Sequence, residues 1–393
     1  MMENNRLAER LRHSVIFRSL REEPLIRALA ALLESKEGEA ESRFLDLAAE
    51  LYPRGTDLSR AILKLLLSDD NLYVRVCAGG ENPGTELSVW LERELLALQE
   101  AARPSEEYRA RFGLPEELPS WTAEPLDFTA EYRRMLASAA TTGFGVFAQY
   151  RVFSISADGA LVPIEHPDPQ RLTELYGYET EKEKVIKNTE ALLRGMRANN
   201  ILLYGDAGTG KSSMVKAVLN EYAGQGLRLI QIEKDKLRHI PALMDRLSEN
   251  PLKFILFIDD LSFTSNDRDF TALKTVLEGS VAARSRNTVV YATSNRRHLV
   301  KETFQARQGD EVHLNDTLEE VASLSARFGI VITFGKPDRD LYLTLVGQLA
   351  EHYGLDEPEN ELLQGAEAYA LRSGGRSPRV ARQYIEYKMA MDF

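Results

Sequence analysis

Apolar residues recur at spacings of three and four, with charged residues between them, along most of the first 115 residues of the chain. This periodicity is typical of amphipathic helices, because it places the apolar side chains on one face. Turn-forming residues such as Gly79, Gly80 and Pro83 separate the periodic stretches. The pattern predicts helices over Arg6–Phe17, Pro24–Ser35, Ala40–Tyr52, Leu58–Leu67 and Leu87–Glu100.

The pattern changes in the middle of the chain. Leu114–Pro125 is rich in proline and is predicted to be a linker, whereas Gly145–Ile155 and Leu161–Ile164 are predicted to form short strands. After the turn at His166–Pro169, apolar runs alternate with helical patterns to the end of the chain, which is typical of a parallel sheet. We therefore predict a helical domain at 1–115, a linker and small β-containing segment at 116–166, and an α/β region from 167 onward.

Composition restricts the possible functions. The chain has 393 residues, of which 44% are hydrophobic and 28% charged, as in ordinary globular proteins of two or three domains. A net charge of −11 argues against a protein that coats nucleic acid, although a local basic patch is compatible with it. The one cysteine, Cys77, cannot form an internal disulfide, which favours the cytoplasm. We expect no signal peptide, no membrane span and, since the six histidines are scattered, no structural metal site.

The strongest motif is G-x-x-x-x-G-K-[ST] between the apolar run Asn200–Tyr204 and the helical pattern Ser213–Tyr222. Glycines allow the loop to point its amides at phosphate groups, with the helix N-terminus behind them. Lys211 is expected to reach the β- and γ-phosphates of a nucleotide, and the Ser212 hydroxyl to bind Mg²⁺. The predicted phosphate-binding residues are Gly205, Asp206, Ala207, Gly208, Thr209, Gly210, Lys211, Ser212 and Ser213.

A second apolar strand, Lys253–Ile258, ends in the carboxylates Asp259 and Asp260. The carboxyl ends of buried parallel strands meet at one edge of a sheet, which predicts that Asp259 faces the same magnesium from a strand adjoining the phosphate loop. We expect Asp259 to hold Mg²⁺ through water and Asp260 to act as general base toward the attacking water. The alternative is a solvated Asp-Asp turn.

Another strand, Gly226–Ile232, lies between these two motifs in the sequence, as in the P-loop ATPases that have an additional strand. In that branch a polar residue at the end of the following strand senses the γ-phosphate. The strand Asn287–Asn295 ends in Thr293, Ser294 and Asn295, and we assign that role to Asn295. The alternative is that Asn295 is a turn or helix-capping residue.

Several ordered segments together resemble a bacterial family of AAA+ ATPases known as domain of unknown function 815. More distantly they are similar to helicase-loader, transposon-helper and replication-initiator ATPases. The resemblance covers about residues 167–393, whereas the first 160 residues match no family. Its segments are Asn200–Ser213, Phe254–Phe263, Leu273–Gly279, Tyr291–Leu299, Leu324–Ile330 and Gly374–Tyr384.

The resemblance implies an ASCE P-loop fold of the AAA+ type, with a parallel five-stranded sheet in a core at 167–333 and a helical lid at 334–393. It implies that Leu175, Tyr176 and Gly177 line the adenine. It also implies that Arg327 acts as an arginine finger on a neighbouring subunit and that Arg379 in the lid contacts the γ-phosphate of its own subunit. Either arginine can instead be a surface residue or an ion-pair partner, and Arg376 and Arg382 compete for the role of Arg379. The stretch 317–324 lacks the lysine expected before the finger.

These features predict an AAA+ ATPase that binds Mg²⁺ and ATP and acts as a homo-oligomer on an unknown protein client. Relatives often carry Glu where this chain has Asp260, so slow hydrolysis or an ATP-gated switch is an alternative. A DNA-associated loader is a further alternative, and a small-molecule kinase is disfavoured by the extra strand and the lid. A basic cluster favours a subunit interface over nucleic acid; it comprises Arg296, Arg297, His298 and Lys301.

Overall fold

The structure, a computed structural model, describes residues 2–36, 38–261, 286–295 and 326–391, with the single positions 273 and 277. Contacts within the chain divide it into two compact units. One comprises Met1–Tyr150 and Glu249–Pro251, and the other comprises Arg151–Ser248 and Leu252–Phe393. Residues 116–166, predicted to form one intermediate segment, are therefore shared between the two units.

The first unit is helical in its described residues. Short 3₁₀ helices at Arg18–Glu22 and Tyr52–Arg54 join some of the longer ones. The α-helices are α1 (Met2–Arg12), α2 (Pro24–Leu33), α3 (Ala40–Leu51), α4 (Leu58–Ser68), α5 (Leu72–Ala78), α6 (Gly84–Ala101), α7 (Ser105–Phe112), α8 (Phe128–Thr142) and α9 (Val146–Gln149).

The boundaries that differ from the sequence prediction include the end of the first helix and the start of the first strand. The first helix ends at Arg12 rather than at Phe17, because the buried carboxylate of Glu94 accepts the backbone N–H groups of Val15, Ile16 and Phe17 at 2.6, 3.1 and 3.0 Å. Those N–H groups are then unavailable to a helix ladder. The segment predicted as strand from residue 145 begins instead with the short helix α9, and strand starts only at residue 152.

The core of the first unit consists of apolar faces of α1, α2, α3, α4, α6 and α8. Phe44 packs on Trp121 with ring centroids 4.5 Å apart, and Phe17 meets the edge of Tyr132 at 5.4 Å. Asp57 caps α4 by accepting the N–H of Arg60. The helical prediction for this region is confirmed, and its stability rests mainly on the buried apolar faces.

The second unit contains one sheet of seven strands among its described residues, in the order β2-β1-β4-β5-β6-β3-β7. β1 and β2 pair antiparallel, and all other neighbours are parallel. The strands are β1 (Val152–Ile155), β2 (Leu161–Pro163), β3 (Ile201–Gly205), β4 (Leu227–Gln231), β5 (Lys253–Ile258), β6 (Thr288–Asn295) and β7 (Ile330–Phe334).

The predicted parallel α/β fold is confirmed, but the predicted number of five strands was too low. The two additional strands, β1 and β2, form a short hairpin. This hairpin extends the sheet because β1 pairs with β4, with Val152 opposite Leu229. They have only 4 and 3 residues. Hairpins this short carry little information about which sheet edge they will join.

β5 and β6 are buried along almost their whole length, as in parallel sheets that are covered on both faces. α10 (Glu179–Leu193) and α11 (Lys211–Tyr222) pack on one face through Val185, Leu192, Val215 and Leu219. The remaining helices of this region are α12 (Ile240–Ser248) and the 3₁₀ helices Leu172–Glu174, Ala223–Gln225 and Lys234–His239.

The chain ends in a bundle of three helices, the lid, whose core is separate from that of the sheet. A short segment at 335–338, here called the hinge, joins β7 to this bundle. The buried residues of the bundle include Tyr342, Leu345, Ala366, Tyr384 and Ile385. Among the described residues no helix has the length and apolar character needed to cross a membrane. The lid helices are α13 (Arg339–Tyr353), α14 (Glu359–Arg372) and α15 (Pro378–Met391).

Candidate functional site

The glycine loop begins where β3 ends, and its shape depends on Gly205. This residue has φ of +142°, and a Cβ there would lie 2.0 Å from the carbonyl oxygen of Phe334 on β7. The next amide, of Asp206, donates to that same oxygen at 3.1 Å. Gly208 and Gly210 also have positive φ, of +78° and +91°. A side chain is therefore excluded at Gly205, and the three glycines let the backbone wrap closely around a ligand.

Lys211 opens α11 and turns its ammonium back into the loop. Its Nζ donates to the carbonyl oxygens of Gly205 at 3.1 Å and Asp206 at 2.6 Å, and to Oδ1 of Asn295 at 2.9 Å. The side chain is buried, and this burial lowers the pKa of Lys211 despite the nearby carboxylates. An anion entering the loop would favour the charged form again.

The carboxylate of Asp259 lies directly beside the first turn of α11. Its Oδ1 accepts hydrogen bonds from the hydroxyls of Ser212 at 2.6 Å and Thr293 at 2.5 Å. The sequence had predicted that Asp259 follows the strand next to the phosphate loop. That prediction was wrong, because β6 lies between β5 and β3. Thr293 on β6 donates to Asp259 as well, a contact that the sequence reasoning missed because it took this residue only as part of the strand end.

Asp260 and Asn295 meet at the same edge of the sheet. Nδ2 of Asn295 donates to Oδ1 of Asp260 at 2.9 Å, while Oδ1 of Asn295 accepts from Lys211. Asp260 has φ of +52°, a left-handed conformation that Asp and Asn tolerate better than most residues. Its amide is held by Oγ1 of Thr293 at 2.9 Å. Asn295 therefore connects the lysine of the loop with the second carboxylate.

The oxygens of Ser212 and Asp259 fit a magnesium ion. Neighbouring ligands in an octahedral shell of radius about 2.1 Å are about 3 Å apart. These two oxygens are 2.6 Å apart, so a small separation suffices to admit the ion. Among the described residues no group of three or more His, Cys, Asp or Glu side chains could hold a metal. A hydroxyl and one carboxylate are instead the donor set of an ion that completes its shell with water and phosphate oxygens.

A cavity of about 440 Å³, here called the main cavity, is lined by residues of both the loop and the lid. Leu175, Tyr176 and Gly177 line its far end, opposite Leu345 of the lid. Gly177 has φ of +73°, and a Cβ there would lie 3.2 Å from that leucine. Leu175, Tyr176 and Leu345 make this end apolar, which suits an aromatic base, and the opposite end contains the polar loop.

Two side chains that the sequence reasoning had not singled out hold this far end in place. The hydroxyl of Tyr178 donates to the carbonyl oxygen of Gly335 at 2.6 Å, and burial raises the pKa of Tyr178 to about 12. The ammonium of Lys182 donates to the carbonyl oxygen of Leu175 and to Glu179. The partner of Tyr178 is distant in sequence, and Lys182 contacts a backbone atom. Neither contact is marked by a sequence motif.

The three competing arginines of the lid have different partners. The backbone N–H of Arg379 donates to the carbonyl oxygen of Gly208 at 3.2 Å, and Arg379 lines the main cavity. Arg376 forms two hydrogen bonds with Glu367 at 3.0 and 2.8 Å, which lower the pKa of that carboxyl group. Arg382 lines the same cavity but contacts Oε1 of Gln170 at 3.3 Å. Position thus favours Arg379 over the other two as a phosphate contact.

Arg327 lies at the opposite edge of the sheet from the loop. It lines a different cavity, of about 490 Å³, with Arg197, Arg286 and Asn200, near the residues where β3 and β6 begin. Because the glycine loop follows the carboxyl end of β3, Arg327 is remote from the main cavity of its own chain. The basic cluster at 296–301, the stretch 317–324 and parts of the other matched segments lie outside the described residues.

The loop after β3, the two aspartates after β5, the interposed β6 and the helical lid define a P-loop NTPase fold of the AAA+ type. A family model described as "Protein of unknown function (DUF815)" matches residues 148–391. The chain belongs to this family, as its sequence motifs had predicted. No curated protein matches the chain.

Among solved structures, the chain is similar to RuvB of Thermotoga maritima, titled a Holliday junction branch migration motor. The identity is 16% and the TM-score 0.37, over 56% of this chain and 63% of that chain. A mutant of the same RuvB gives 16% identity and a TM-score of 0.38, over 56% and 64% of the chains. The match spans less than two thirds of RuvB, and at this similarity it carries no information about the activity or partners of this chain.

Proposed function

We propose that this protein binds ATP with Mg²⁺ in the main cavity and hydrolyses it to ADP and phosphate. The observation that carries the proposal is the meeting of Lys211, Ser212, Asp259 and Asn295 at the polar end of a cavity whose other end is apolar. A triphosphate would lie on the loop amides and the base near Tyr176. Lys211, the metal ligands Ser212 and Asp259, and the apolar residues around the base would then all contact one nucleotide.

The proposed reaction uses the residues at the edge of the sheet. Water attacks the γ-phosphorus, the bond to the bridging oxygen breaks, and ADP leaves with the electron pair. Asp260 accepts the proton of the water, and the amide of Asn295 orients Asp260 and the terminal phosphate. Lys211 keeps its positive charge beside the oxygens that become more negative. When bound at Ser212 and Asp259, Mg²⁺ neutralises charge on the β- and γ-phosphates.

We further propose that the active form contains several copies of the chain. Arg327 is remote from the main cavity of its own chain, which supports a role toward the nucleotide of a neighbouring copy. The contact of Arg379 with the loop supports a role for the lid as well. The lid would move when the bound nucleotide changes from ATP to ADP, and this movement would act on an unknown client. The single cysteine supports a cytoplasmic location.

Nucleotide titration of the Lys211→Ala variant tests the proposal. Loss of a charged hydrogen-bond donor inside the loop should weaken ATP binding on the order of 100-fold. Lys187→Ala, which removes an exposed lysine on α10, is the matched control and should bind as the unchanged protein does. Fluorescent ATP measures both. Equal affinity in Lys211→Ala and the unchanged protein would refute the site.

A second candidate function is an ATP-gated switch that hydrolyses little. Asp260 has a shorter side chain than Glu, and Asn295 already occupies one of its oxygens, which favours slow proton abstraction. We expect Asp260→Asn to retain ATP binding and lose turnover, and Asp260→Glu to raise turnover if reach limits the rate. Steady-state release of phosphate measures both. Rapid turnover of the isolated unchanged protein would exclude the switch.

A further inference from the structure

A second polar cavity adjoins the main cavity on the side of the hinge. This hinge cavity has a volume of about 420 Å³ and is lined by Asp206, Lys336, Gly375, Arg376 and Gln383. Ala207, Gly208, Asn295 and Arg379 line both cavities. The residues proposed to surround the terminal phosphate therefore form the boundary between the two spaces.

The lining of the hinge cavity suits a small oxyanion better than a nucleotide base. It lacks the apolar wall formed in the main cavity by Leu175 and Leu345. Among its described lining residues the cations are Lys336, Arg379 and Arg376, of which Arg376 is neutralised by Glu367. One carboxylate among these described residues, that of Asp206, opposes the remaining two cations, so the charge of the described lining is positive.

Lys336 is the cation that no established motif explains. It lies in the hinge, two residues after β7, and its side chain is exposed. No ion pair or side-chain hydrogen bond engages its ammonium within the part of the chain that the structure describes. A Cβ on Gly375 would lie 3.7 Å from its Nζ, so the glycine turn of the lid leaves room beside the charge.

We propose that the hinge cavity receives the inorganic phosphate formed by hydrolysis and that Lys336 is its main cationic ligand. This inference rests on the proposed function. The freed phosphate and ADP repel each other, and the hinge cavity begins at the far side of Asn295 and Arg379 from the base. A charged donor there stabilises the separated anion. Because Lys336 joins the sheet to the lid, departure of the phosphate releases a contact between them.

The test uses the full chain and inorganic phosphate as the probe. Fluorescent ADP first measures occupancy of the main cavity, and phosphorus NMR then follows the line width of inorganic phosphate added to the ADP-loaded protein. We expect Lys336→Met to need about tenfold more phosphate for the same broadening. Lys184→Met, which removes another exposed lysine, on α10, should behave as the unchanged protein does. Lys336→Arg should retain phosphate binding, which separates loss of charge from misfolding.

The outcomes separate the two proposals. If the unchanged protein fails to bind ADP, the proposed function is wrong and the inference is wrong with it. If ADP binds but phosphate broadens equally in Lys336→Met and the unchanged protein, phosphate lies elsewhere and only the inference is overturned. If both lysine variants lose phosphate equally, the effect is one of general surface charge, and the inference is again overturned.

Discussion

At the residue scale, the site depends on a few positions where backbone geometry leaves no choice. Gly205 is the sharpest, because a carbonyl oxygen of β7 occupies the space where a side chain would begin. The sequence identified this glycine through its motif. Its partner, Phe334, lies well over 100 residues later and could not be identified without the pairing of β3 with β7. The motif thus predicted the glycine but not the reason for it.

We expect Gly205→Ala to lower the free energy of unfolding of the second unit by about 3 kcal/mol, from overlap and a strained φ. Gly224→Ala is the control, since its Cβ would meet nothing within 4 Å. It should change stability by about 1 kcal/mol at most. Pulse proteolysis in urea, with fragments of the second unit followed by mass spectrometry, measures both. A Gly205→Ala variant as stable as Gly224→Ala would contradict the packing argument.

At the scale of elements, the lid is where sequence reasoning left the most open. Three arginines near the start of α15 competed for one role, and their separation along the helix did not decide between them. The structure distinguishes them by their partners: Glu367 on α14 engages Arg376, Gln170 engages Arg382, and the loop carbonyl of Gly208 engages the backbone of Arg379. Contacts between distant elements decide which side chain is available to a ligand.

We expect Arg379→Ala to weaken ATP binding about tenfold and to leave ADP binding unchanged within about twofold, because only ATP has the phosphate near the lid. Arg372→Ala is the control; its guanidinium donates to a carbonyl oxygen of its own helix. Competition with fluorescent nucleotides measures both affinities. Equal losses for ATP and ADP would indicate a general loosening of the lid rather than a phosphate contact.

At the scale of the whole molecule, the sequence predicted different features of the two units. Periodicity indicated helices in the first unit, yet the carboxylate that ends α1 comes from α6, about 80 residues away. In the second unit the alternation of strands and helices predicted the parallel sheet. The division into domains at 1–115, 116–166, 167–333 and 334–393 stays a prediction, as do the roles of the site residues and the client.

Arg327 gives a prediction at this scale, since its proposed partner is another copy of the chain. Arg327→Ala and Asp260→Asn should each abolish ATP turnover alone. In an equal mixture that exchanges subunits, about a quarter of head-to-tail interfaces combine an intact finger with an intact Asp260, so turnover should return to about that fraction. Phosphate release from the mixture measures it. A mixture as inactive as its components would contradict action between copies.

The sequence by itself determined the chemistry that is local in the chain: a strand, a glycine loop, a lysine and a helix in one contiguous stretch, and a strand ending in two carboxylates. Local backbone preferences and short apolar runs suffice for these, because neighbours along the chain specify them. The tertiary structure decided what depends on residues far apart in sequence. It placed β6 between β3 and β5, with Thr293 in contact with Asp259, separated Arg327 from the loop by the length of the strands, and brought Lys336 beside the lid. Strand order and lid position arise from long-range packing, and no short stretch of residues encodes that packing.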